Sequence, residues 1–264
     1  MTQVRLLMVG DVTAKAGLKA VKRLLPKVIA DRAIDFVIAN GENVAGGVGI
    51  TPDLAGDLLK QGIDVLTTGN HVWRQRDIRG YIDDQPRLLR PLNFPAMQPG
   101  AGFGVFETVA GVKVGVINLI GQVYMDPAGN PFVAADEALA AIGDQTKLIV
   151  VDIHAEATSE KRAMGWHLDG KVTAVLGTHT HVPTGDEQIL PEGTAYLTDV
   201  GMTGPHDSVI GMRKELVLAR FATGLPQSFK PSNRGARLQA VLIEADDATG
   251  RADLIERIDI PLEE

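Results

Sequence analysis

Five short apolar runs, each closed by a residue able to bind a metal, constrain this chain more than any other feature. Residues 4–9 end at Gly10-Asp11, residues 36–39 at Asn40-Gly41-Glu42-Asn43, and residues 64–68 at Gly69-Asn70-His71. Residues 148–153 end at His154, and residues 172–176 at Gly177-Thr178-His179-Thr180-His181. Continuous apolar runs of this length read as buried strands. In α/β sheets ligands gather at the carboxyl ends of the strands, where these polar groups fall. A lone His-x-His is weak evidence of a metal site. Four of the six histidines at strand ends are a stronger signal, because random scatter would rarely put them there.

The runs alternate at first with helical patterns. Leu18, Val21, Leu24, Leu25 and Val28 share one face of a helix over 14–30, where Pro26 predicts a break or kink. Thr51 caps a helix running to about Gln61, with Pro52 at its first position. Another helix is expected over 73–81. Strand–helix alternation predicts parallel strands with right-handed crossovers. Runs 102–109 and 112–119 then flank Ala110-Gly111, a hairpin signal. Residues 121–133 read as an irregular loop, and 136–142, 158–167 and 214–221 as helices. Short strands are expected at 186–190 and 194–198 around Pro191-Glu192-Gly193, and closing strands at 237–244 and 252–260. The expected fold is α/β, one domain over 1–264, with two packed mixed β-sheets flanked by helices.

Composition narrows the chemistry. The 264 residues are 45% hydrophobic with a net charge of −7, which speaks against a sequence-independent grip on long nucleic acid. With no cysteine, disulfides, thiolate metal sites and cysteine nucleophiles are excluded. No apolar run approaches the roughly 18 residues of a membrane span, and no signal peptide is read at the start, so a cytoplasmic protein is expected. The candidate ligands are Asp11, Glu42, Asn43, Asn70, His154, His179 and His181. This set of carboxylate, amide oxygen and imidazole suits two neighbouring first-row ions better than calcium or a closed structural zinc site.

Bland readings stand beside this one. Asp11 could cap the next helix, Glu42-Asn43 and Asn70-His71 could be turns, and His154 could be a bonded core residue. His167 and Trp73 read as structural, Lys161 and Arg162 as solvated helix charges, and His206 as a loop residue within reach of substrate.

In that order, Gly10-Asp11, Gly41-Glu42-Asn43, Gly69-Asn70-His71, His154 and Gly177-Thr178-His179-Thr180-His181 resemble the calcineurin-like metallophosphoesterase signature. The strings Ala39-Asn40-Gly41-Glu42-Asn43, His154-Ala155-Glu156-Ala157-Thr158-Ser159-Glu160-Lys161 and Thr198-Asp199-Val200-Gly201-Met202 resemble its YmdB-like branch of 2′,3′-cyclic nucleotide phosphodiesterases. Two departures from the superfamily, Thr13 for a usual His and Glu42 for a usual bridging Asp, are shared by that branch. The resemblance implies a four-layer αββα sandwich and a dinuclear centre. Asp11, Glu42, Asn43 and His181 would hold one ion. Glu42, Asn70, His154 and His179 would hold the other, with Glu42 bridging. His71 would be the catalytic proton donor. The ions would be divalent or trivalent first-row metals, iron first, with manganese or zinc as alternatives. A metal-bridging hydroxide would attack phosphorus, and the cations would neutralise growing phosphoryl charge. The substrate would be a small nucleotide phosphodiester, with no extended nucleic acid and no membrane partner. Homo-oligomerisation is left open. The alternatives are a phosphomonoesterase or nucleotidase on the same core, or a metal-binding regulatory protein.

Overall fold

The computed structural model describes residues 2–263. Strand β1 is Gln3–Val9, followed by the two-residue strand β2, Asp11–Val12, and helix α1, Ala14–Arg32. Strand β3 is Phe36–Asn40, α2 is Pro52–Leu59 and β4 is Val65–Thr67. The hairpin β5, Phe103–Glu107, and β6, Lys113–Ile120, precedes α3, Pro131–Ile142. Next come β7, Ile149–His154, α4, Thr158–Leu168, and β8, Ala174–Thr178. The short strands β9, Gln188–Ile189, β10, Ala195–Leu197, and β11, Met202–Pro205, lead to α5, Lys214–Thr223. The long strands β12, Ala236–Asp246, and β13, Ala252–Pro261, close the chain.

These strands make two mixed sheets. The first runs β2-β11-β12-β1-β3-β4, with β13 on the other edge of β12. In it β1, β3 and β4 are mutually parallel, and β12 is antiparallel to β1. The second runs β5-β6-β7-β8-β10-β9, with a parallel centre and antiparallel edges. Side-chain alternation explains the layering. Leu6 and Met8 of β1 face the second sheet and pack in one cluster with Val116, Val150 and Leu176. Leu7 and Val9 face outward onto Val21 and Leu25 of α1. On the other side Val151, Ile153 and Val175 pack on Ala138, Met164 and Leu168 of α3 and α4. The result is the four-layer order of helix, sheet, sheet, helix. Because each central strand is covered on both faces, its sequence is a continuous apolar run. Among the described residues, no helix is long and apolar enough to cross a membrane.

Four expectations need correction. First, of the break or kink expected at Pro26 the break does not occur: α1 continues through it, with Leu24, Leu25 and Val28 around it all buried against the sheet. Second, no α-helix forms over 73–81. Gln75 is extended at φ −100°, ψ 119°, and only short 3₁₀ turns follow at Arg76–Gly80 and Ile82–Asp84. Loop contacts hold this segment instead: Trp73 Nε1 donates to Gln98 Oε1, and Gln75 Nε2 to the Val48 carbonyl. Third, α3 begins at Pro131, inside the stretch expected to be loop. Asn130 Oδ1 accepts from the Phe132 and Val133 amides, so Asn-Pro is a cap and a first helical residue. Fourth, β2 and β11 form where no strand was expected, paired in parallel through Met202–Asp11 and Thr203–Val12.

Candidate metal centre

The two sheets meet in register at their polar strand ends. Asp11 lies in β2, Glu42 and Asn43 follow β3, and Asn70 and His71 follow β4. These five come from the first sheet. His154 ends β7, and His179 and His181 follow β8, so the histidines come from the second. All the proposed ligands gather at this seam. His154 Nε2 lies 3.2 Å from Glu42 Oε1, 3.1 Å from Asn70 Oδ1 and 3.1 Å from His179 Nδ1. Glu42, His154 and His179 are close enough to share one cation. Nearby, His181 Nε2 is 3.1 Å from Asn43 Nδ2 and 3.8 Å from Asp11 Oδ1. Asp11 Oδ2 accepts from the His179 amide at 3.1 Å, whereas Asp11 Oδ1 is buried without a hydrogen-bond partner. A buried orphan carboxylate oxygen is costly unless something positive satisfies it.

The outer faces of the three histidines are all committed. Thr178 Oγ1 donates to Asp152 Oδ1 at 2.7 Å, so its lone pair can accept from His154 Nδ1 at 2.9 Å. Glu156 Oε2 is 3.2 Å from His179 Nε2, and the Ile210 carbonyl is 3.0 Å from His181 Nδ1. Each ring therefore has one nitrogen held by an acceptor and the other turned toward the centre. Metal-binding imidazoles are oriented in this way by outer acceptors. The donor set thus fits cations: three directed imidazole nitrogens, an orphan carboxylate oxygen, and Glu42 between the two groups.

Burial and neighbouring charges shift several of these groups. Burial raises the Asp11 carboxyl above its usual range, only partly opposed by His181 and His154. Burial would also raise Glu42, but His154 and His71 hold it well below the usual carboxylate range. Burial pulls His154 down, yet Glu42 and Asp11 outweigh that and lift it to about 9. Burial and the adjacent His154 depress His179 to about 3. Asp152, behind His154, is raised to about 6 by burial and is held by Thr67 and Thr178.

Backbone strain marks the same place. His179 and His181 have φ of 96° and 64°, left-handed values that cost non-glycine residues about 1–3 kcal/mol each. His71 sits on the rim, partly exposed. Its Nδ1 is 2.8 Å from Asn43 Oδ1 and 3.2 Å from Glu42 Oε1, and its amide donates to Glu42 Oε2.

A family model described as YmdB-like protein matches residues 7–258. The chain belongs to the YmdB-like family. A relative from Bacillus subtilis (strain 168), named 2′,3′-cyclic-nucleotide 2′-phosphodiesterase, is 46% identical over 254 residues, covering 96% of each chain. A solved structure of a hypothetical protein from Thermus thermophilus superposes with TM-score 0.91 at 42% identity, covering 98% of this chain and 100% of that one. A second, described as a novel phosphatase from Mycoplasma pneumoniae, gives TM-score 0.92 at 36% identity over 99% and 94% of the two chains.

The other residues singled out from sequence have partners of their own. His167 binds Asp136 on the surface, and His206 Nε2 is 2.9 Å from the Met202 carbonyl. Arg162 is half-exposed over Tyr196 and Trp166. Lys161 is not a solvated helix charge. It is fully buried, with Nζ 2.7 Å from Asp199 Oδ2. Sequence reasoning assigned no role to Glu156, Thr178 or Asp199. Glu156 and Asp199 do lie inside two of the three strings quoted for the branch.

Proposed function

We propose that this chain is a metal-dependent phosphodiesterase that hydrolyses 2′,3′-cyclic nucleotides at the seam between its sheets, as a single-domain cytoplasmic enzyme. The observation that carries the reading is the directed set of His154, His179 and His181, each with one ring nitrogen held outward and the other turned to Glu42 or Asp11. Glu42, Asn70, His154 and His179 would hold one first-row ion. Asp11, Asn43, His181 and the shared Glu42 would hold the second, iron first, with manganese or zinc as alternatives. Rotating the Asn43 amide by half a turn would bring its oxygen to the position now 3.1 Å from His181 Nε2 and turn its NH2 toward His71 Nδ1, which would then accept from it. When bound, such ions supply an activated water nucleophile and neutralise charge on phosphoryl oxygens.

The chain's own residues do the rest. Glu156, Thr178 and the Ile210 carbonyl keep the three imidazoles aimed. His71 has its Nδ1 engaged by Asn43 and Glu42, and among the described residues nothing bonds its Nε2. That nitrogen is free to protonate a departing ribose oxygen, a poor leaving group without a proton. A diester suits the local charge better than a monoester. The buried cation nearest the His-x-His turn, Lys161, is neutralised by Asp199 and is not available to a second phosphoryl charge.

The test is purification with metals quantified, followed by assay of 2′,3′-cyclic, 3′,5′-cyclic and monoester nucleotides. Metal-dependent cleavage of the 2′,3′-cyclic set is the expected result. Hydrolysis of monoesters alone would reject the diester reading, and protein without metal-dependent hydrolysis would reject the enzyme reading.

A further inference from the structure

The strained His179-Thr180-His181 turn needs something to hold it, because left-handed non-glycine residues persist only where their surroundings over-determine them. Asp199 supplies that hold. Its Oδ2 accepts from the Thr180 amide at 3.2 Å and from Thr180 Oγ1 at 2.7 Å, between the two histidines. Its Oδ1 accepts from the Gly201 amide at 2.9 Å, and the Gly201 carbonyl accepts from the Asp11 amide at 3.1 Å. One carboxylate therefore fixes the His-x-His turn and, through Gly201, the backbone of Asp11.

A buried carboxylate bearing this load needs a countercharge. Lys161 reaches it from the first turn of α4, 2.7 Å away and fully buried. Its stem passes Gly177, where a Cβ would lie 2.8 Å from Lys161 Cδ and 1.8 Å from the Thr198 carbonyl oxygen. Glycine at 177 thus lets the end of β8 approach both partners. An ion pair with neither member exposed is weak evidence for stability, since desolvation offsets its attraction. Specification of one geometry is the better account of it.

We infer that the buried Lys161–Asp199 ion pair is a positioning device that sets His179, His181 and Asp11 in metal-binding geometry through Thr180 and Gly201. The pair touches no substrate and donates no ligand. It makes the turn adopt its strained shape before a cation arrives, so its loss should appear as weakened metal affinity. This inference rests on the metal reading above.

The test titrates full-length, metal-stripped protein with Mn²⁺ and counts free ion by electron paramagnetic resonance. Circular dichroism and thermal melts run alongside. Lys161→Met keeps the aliphatic stem and removes the charge. Because it leaves a buried carboxylate uncompensated and could unfold the chain, Thr180→Val is the second variant. It leaves the ion pair intact and removes only the hydroxyl link to Asp199. Thr184→Val is the control, since Thr184 Oγ1 accepts from the Asp199 amide at 2.9 Å but makes no bond to the histidine turn. Thr180→Val should bind Mn²⁺ about tenfold more weakly, within the 10–100-fold range typical for outer partners of metal ligands, while Thr184→Val stays within about twofold. Folded Lys161→Met should fall in the same range as Thr180→Val or lower. Wild-type affinity in Thr180→Val, or equal loss in both threonine variants, would overturn the inference while leaving the metal reading intact. Wild-type protein that binds no Mn²⁺ would overturn both.

Discussion

At the residue scale, the side chains that could be read from sequence are those whose chemistry shows locally. His154, His179 and His181 stand out because imidazoles rarely end buried strands without purpose, and Asp11 and Glu42 because carboxylates rarely do. Lys161 could not be read this way. A lysine on a helix is ordinarily solvated, and its partner Asp199 lies 38 residues away, beyond any periodicity. Glu156 is hidden for a similar reason, since an exposed glutamate near a strand end gives no sign of which ring it orients. Two predictions belong at this scale. His71→Ala should lower turnover of 2′,3′-cyclic nucleotides by about 10²-fold or more. Its metal content should stay at the wild-type level, and an activated aryl phosphodiester should be cleaved with a smaller loss. Unchanged turnover on the cyclic nucleotides would remove His71 from the proton-donor role. His179→Ala and His181→Ala should deplete different ions, because His179 faces Glu42 and His154 whereas His181 faces Asp11 and Asn43. Metal analysis with spectroscopy of each remaining site decides this, and identical depletion by both changes would contradict the division.

At the element scale, strands were more legible than helices. A strand covered on both faces announces itself as an apolar run, and β1, β3, β7 and β8 begin and end within two residues of expectation. The helix expected over 73–81 does not form, and Ile78 and Ile82 are buried in separate 3₁₀ turns instead. The two-residue strand β2 was illegible because its partner β11 is distant and itself only four residues long. The strand-end glycines carry a constraint that the sequence shows only as turn propensity. At Gly69 a Cβ would fall 2.1 Å from His154 Cδ2 and 2.4 Å from Glu42 Oε2. Gly69→Ala should therefore push His154 and Glu42 apart from within while leaving the strands paired. The expected outcome is loss of bound metal with a native-like circular dichroism spectrum and a stability loss of about 1–3 kcal/mol, the usual cost of overpacking. Retention of full metal content would show that the seam has slack here.

At the scale of the whole molecule, the centre is built across an interface. Asp11, Glu42, Asn43 and Asn70 belong to one sheet and His154, His179 and His181 to the other. Direct hydrogen bonds already tie the two: Asn40 and Thr67 of the first sheet both donate to Asp152 of the second. Thr68 and Asn118 exchange two bonds between backbone and side-chain amide. Two packed sheets with outer helices followed from the mix of parallel runs and a hairpin, and their four-layer order from the family resemblance. Which strand neighbours which did not, because register is set by side chains that meet only in the folded chain. A cation at this seam would touch ligands from both sheets at once, and the unfolded chain has no such site. Binding must then be linked to folding, stabilising the native state by about 2.7 kcal/mol when free metal is a hundred times its dissociation constant. Stripping the purified protein with a chelator should lower its melting temperature by about 5–10 °C, and restoring Mn²⁺ should recover it. His154→Ala, which removes the second sheet's contact with Glu42 and Asn70, should melt at a temperature much less sensitive to either treatment. If the wild-type protein loses its metal on stripping yet melts at an unchanged temperature, the ions do not bridge the sheets, and the seam is held by its direct contacts, those of Asp152 and Asn118 among them.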